Sequence, residues 1–75
     1  MDETCQTILE KMTLHLTTKT ASWTDAHLRT AIRDPATHAL AQAIDAACLA
    51  QDFRATVQAC RHYTKHLLAF PKDAP

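Results

Sequence analysis

The stretch DPATHALAQAIDAACLAQD, residues 34–52, decides the fold. Asp34-Pro35 is its punctuation: the proline pushes residue 34 out of the helical region and itself fits the first helical position, so Asp34 becomes an N-cap. From Pro35 to about Ala50 the chain then reads as one Ala-rich helix. On a wheel of roughly 100° per residue, Ala36, Leu40, Ala43, Ile44 and Ala47 form the main apolar arc. Ala39, Ala46 and Leu49 widen it, leaving only His38, Gln42 and Asp45 as a polar strip. A helix apolar over most of its circumference sits between neighbours, and small alanines permit close approach. This third helix is therefore expected at the centre of the domain. Gln51-Asp52 reads as a tight break, with Asp52 capping the next helix. So short a turn predicts an antiparallel hairpin.

Working outward, the fourth helix is expected from Phe53 to Phe70, with Phe53, Val57, Cys60, Thr64, Leu67 and Leu68 on its inner arc. Pro71 ends it, and residues 72–75 form a frayed tail. Upstream, Ser22 or Thr24 caps a short helix from Asp25 to Arg33, with Asp25 near the positive end of the dipole. Leu28 and Ile32 are expected to face inward there, and Trp23 to fold over the start of that helix. Residues 17–22 are a β-branched, polar connector. The first helix runs from about Thr4 to Thr18, with Cys5, Ile8, Leu9, Met12 and Leu16 in one arc. Leu14 lies opposite that arc and is expected to be exposed. Neither period-two alternation nor an internal repeat is present. The expectation is an all-α fold: a compact bundle of three long helices plus one short helix, closed by a C-terminal antiparallel helical hairpin. Residues 1–71 would form a single domain.

Composition narrows the function. The 75 residues hold eight basic and eight acidic side chains, five histidines, three cysteines and no glycine. Average usage of about 7% would have supplied roughly five glycines. Phosphate-cradling loops and dinucleotide fingerprints need backbone that only glycine adopts cheaply. Overall neutrality excludes a polybasic binder or an acidic tail as the main theme. No apolar run approaches the roughly 20 residues that span a bilayer, and the acidic N-terminus lacks the apolar core of a secretory signal. Cys5, Cys48 and Cys60 make an odd count without Cys-x-x-Cys spacing, which points to free thiols in the reducing cytoplasm.

The most organised polar feature is the outer arc of the fourth helix: Arg54, Gln58, Arg61, His62, Lys65 and His66, with no acid between Phe53 and Phe70. Such a stripe suits docking of an acidic partner surface. Against that stands a purely solvated face whose cations complement the negative end of the helix dipole. Tyr63, at the edge of the core arc, is the kind of aromatic that anchors interfaces. His62 and His66, four apart, have chelating spacing. Cys60 lies roughly 200° around the helix from His62, however, so no metal set or activated nucleophile is expected. Cys48 and Cys60 stand roughly 7 Å out of register across the hairpin, which favours packed thiols over a disulfide. The second and third helices resemble a helix-turn-helix only in outline, because residues 35–50 contain no Lys or Arg with which to contact DNA.

Together these features predict no enzyme, cofactor or metal. The function expected is that of a small protein-interaction module, an adaptor, regulator or stoichiometric inhibitor of a larger assembly. Its partner is a protein with an acidic surface, not a membrane. Two alternatives stand beside it: an accessory protein binding nucleic-acid phosphates without strong sequence reading, and a self-associating subunit such as a homodimer. Because histidine changes charge between about pH 5 and 8, partner affinity should vary with pH if His62 and His66 belong to the contact.

Overall fold

Every helix begins on a side chain placed to cap it. The computed structural model describes residues 4–70 and contains four helices: α1 (Cys5–Lys19), α2 (Asp25–Arg33), α3 (Pro35–Leu49) and α4 (Phe53–Leu68). There is no strand among the described residues. Thr4 Oγ1 accepts from the Thr7 amide at 3.1 Å, and Thr24 Oγ1 from that of His27 at 3.1 Å. Of the two candidate caps for α2, Thr24 is the one used. Asp34 Oδ2 accepts from the amides of Ala36 and Thr37 at 3.1 and 3.3 Å. Asp52 Oδ1 accepts from Ala55 at 3.0 Å. These bonds satisfy donors that helix geometry leaves without a partner. The last helix stops at Leu68, short of Phe70, and residues 71–75 lie outside the described part of the chain.

The break between α3 and α4 is a Schellman turn. Gln51 N–H donates to the Cys48 carbonyl at 3.0 Å, and Asp52 N–H to that of Ala47 at 3.1 Å. This geometry requires a left-handed residue after the C-cap, and Gln51 fills it at φ 54°. In a chain without glycine, a glutamine carries the strain.

α4 packs along α3 and, less extensively, along α1, while α2 packs on α3. Cys5 lies beside Thr56, and Ile8 to His15 run alongside Val57 to Lys65, so α1 and α4 run parallel. The core centres on Ile8, Ile44 and Cys60, with Leu9, Met12, Cys48, Val57, Ala59 and Tyr63 packed against it. The largest fully buried side chains are two threonines, Thr37 and Thr56.

Three expectations are corrected. α3 shares the central position with α4, since α3 touches α2 and α4 while α4 touches α1 and α3, and much of the apolar arc expected of α3 faces outward. Ala36, Ala39, Ala43 and Ala46 are exposed and Leu49 is 86% exposed. With alanine on every side the wheel of α3 has little direction, and its buried residues are Thr37, Ile44 and Ala47. In α2 the buried pair is His27 and Ala31, one residue round from the expected Leu28 and Ile32, and Ile32 is 55% exposed. Ala31, with no bulk beyond Cβ, allows the close approach to α3, and Trp23 stacks on the His27 ring at 3.9 Å and 22°. Likewise Thr56 takes the inner position in α4, and Phe53 is left 47% exposed. Leu14, 70% exposed, stands where the sequence places it.

Candidate basic trough between α1 and α4

The fourth-helix stripe does not stay on one surface. Arg54, Gln58, Arg61, His62 and Lys65 are exposed. Arg61 and Lys65 line a trough of about 420 Å³ between α1 and α4, floored by Ile8, Met12, Val57 and Cys60. Its opposite wall carries Lys11 and His15 from α1. A second hollow of about 390 Å³, lined by Phe53, Arg54 and Gln58, shares Ile8, Val57 and Arg61 with the first. The two make one run along α4. Its described lining contains no acidic side chain.

Two of the sequence-identified residues are elsewhere. The ring of His66 points to the start of α3, where Nε2 lies 3.2 Å from Asp34 Oδ2. The stripe is acid-free along α4 but not in space: the turn before α3 brings a carboxylate to its last histidine. His66 also meets Phe70 edge-on, with centroids 6.4 Å apart. Tyr63 is half-buried against the core and lines a different groove, of about 660 Å³, between α1 and the α2–α3 pair. That larger groove is walled by Leu9, Leu16, Trp23, Leu28 and Ile32, and its charged lining residues are Asp25 and Asp45. The molecule thus has a basic trough on one side of α1 and an acidic groove on the other.

Around the thiols the structure adds what spacing along the chain does not show. The Thr56 hydroxyl, donating to the Asp52 carbonyl at 2.8 Å, lies 3.6 Å from Cys5 Sγ and 4.0 Å from Cys48 Sγ. All three cysteines are free. Desolvation pushes the Cys60 thiol above its ordinary value, with the neighbouring thiols adding to it. Cys48 is raised by desolvation first and by Cys5 second. Raised thiols hold their protons and are poor nucleophiles. Among the described residues no three His, Cys, Asp or Glu side chains converge to hold a metal ion.

The α1 wall and the His66–Asp34 contact were missed by the sequence reading. Lys11 and His15 are four apart and flank the Ile8 side of their helix, a signal that becomes a trough only once α1 is known to lie beside α4. His27 is the other unanticipated residue: buried beneath Trp23, its two ring nitrogens have no hydrogen-bond partner among the described residues. No described helix is long and apolar enough to cross a membrane. No protein-family model matches the chain, and no curated protein or solved structure matches it significantly.

Proposed function

We propose that the protein is a non-enzymatic interaction module that docks the acidic surface of a protein partner on the basic face of α4, as an adaptor, regulator or stoichiometric inhibitor. The observation that carries this reading is the position of Arg54. Cations in the last turn of a helix complement its dipole, so Lys65 has a reason to be there without any partner. Arg54 stands in the first turn of α4, where the dipole is positive and where the one nearby acid in sequence, Asp52, is engaged in capping the Ala55 amide. The helix dipole does not favour a cation at that position; an acidic partner does. Arg61 lies between the two, in the same trough.

The apolar floor favours a protein over nucleic-acid phosphates, because Ile8, Met12 and Val57 offer nothing to a phosphate and Phe53 is the one aromatic among the described lining residues. Of the seven residues read as a binding face, Arg54, Gln58, Arg61 and Lys65 serve the docking surface and His62 borders it. His66 is occupied by Asp34, and Tyr63 belongs to the far groove.

The test is capture of a partner by the wild-type chain and by the Arg61→Glu, Lys65→Glu variant. The wild type is expected to retain a specific protein that the variant loses, while helical content stays unchanged. Equal capture by both would leave the stripe as solvated surface.

A further inference from the structure

We propose that the trough between α1 and α4 holds one amphipathic α-helix of the partner, about three turns long, with acidic residues flanking its apolar edge. The inference rests on the docking reading above and names the chemistry of what docks.

Three observations select this occupant. The first is the apolar row between two helices: Ile8, Met12, Val57 and Cys60 line a shallow, open hollow between α1 and α4. A partner helix laid along the two meets that row with its own apolar edge. Helices lying side by side pack ridges into grooves in this way.

The second is charge. Arg54, Arg61 and Lys65 stand on the α4 rim, Lys11 and His15 belong to the α1 wall, and no described lining residue is acidic. A helix with Glu or Asp beside its apolar edge meets complementary charge along the α4 rim. The larger groove across α1 is apolar too, but Asp25 and Asp45 are its charged lining residues and repel the same helix.

The third is length. From Arg54 to Lys65 the rim runs eleven residues, about 17 Å at 1.5 Å per residue, or three turns of a partner helix. Such an occupant needs apolar residues at i, i+3 or i+4, and i+7, with acids on either side. Phe53, 47% exposed at one end of the run, provides an apolar stop there.

The experiment uses a synthetic 15-residue helical peptide, acetylated and amidated, with leucines at that spacing and glutamates on the flanks. A second peptide carries serine for every leucine at the same charge, and phosphatidylserine vesicles serve as the lipid arm. Titrated into the full chain, the Leu/Glu peptide is expected to bind one to one, about tenfold or more tighter than its serine version. Arg61→Glu, a change at an exposed position, should weaken that binding about tenfold. Val57→Thr, close to isosteric, should weaken the Leu/Glu peptide and leave the serine peptide unchanged.

Equal affinity for the two peptides, both sensitive to Arg61→Glu, would overturn the helix-in-trough inference and leave the basic docking face standing. Binding to vesicles without binding to either peptide would overturn it in favour of a lipid surface. Peptide binding indifferent to Arg61→Glu would overturn both readings.

Discussion

Gln51 shows most directly what the absence of glycine does to this chain. Its φ of 54° is left-handed, a region that costs an L-residue about 1–2 kcal/mol and glycine almost nothing. The two Schellman bonds from Gln51 and Asp52 hold it there. Part of the gain from glycine is returned as entropy of the unfolded chain, so Gln51→Gly should raise unfolding stability by about 0.5–1 kcal/mol. Gln51→Ala, which keeps the Cβ, should change it by less than about 0.5 kcal/mol. Urea midpoints of the three proteins check this, and a destabilised glycine variant would mean that the Gln51 side chain contributes something beyond its backbone. Beside this turn Thr56, by bonding the Asp52 carbonyl, ties the first turn of α4 together and lies within 3.6 Å of Cys5 Sγ and 4.0 Å of Cys48 Sγ.

At the scale of helices, what was legible was punctuation. Asp34 and Asp52 cap where the sequence places them, because an aspartate before a proline, or after a broken apolar run, leaves the backbone few alternatives. Rotation about the helix axis was less legible. Leu28 and Ile32 are the bulkiest apolar residues of α2, yet His27 and Ala31 are buried, because close packing on α3 rewards a small side chain and Trp23 supplies a stacking partner for the ring. The docking cations were readable on α4 alone, but the floor and far wall of their trough were not, since these come from α1, a helix distant in sequence. The corrected rotation is testable with one substitution made twice. Ile44→Val should cost about 1 kcal/mol, whereas Ile32→Val should stay within about 0.5 kcal/mol, because only Ile44 leaves a cavity in a packed core. Equal costs would put α2 back in the orientation its hydrophobic residues suggest.

For the molecule as a whole, stability is tied to pH at the alkaline end through Cys48 and Cys60. Both hold their protons more tightly in the fold than the ordinary thiol value of 9.0, chiefly through desolvation. The folded state therefore binds more protons than the unfolded state in that range. The stabilisation is fully present below the ordinary value and is lost as pH rises through the raised one. Urea midpoints should hold up to the ordinary thiol value of 9.0 and fall as pH rises above it, and the fall should be smaller in a Cys48→Ala, Cys60→Ala chain. An identical slope in that variant would assign the alkaline loss to other groups. The parallel run of α1 and α4 has a different consequence, one that concerns the time when the chain is made. Parallel neighbours cannot be joined by a tight turn, and here α2 and α3 intervene, so Cys5 finds Cys48 and Thr56 across 43 and 51 residues. During synthesis α1 emerges before the other three helices, and it stays without its neighbour until α4 has been translated. The earliest made of the four helices thus waits for the latest, and the trough exists only from that moment.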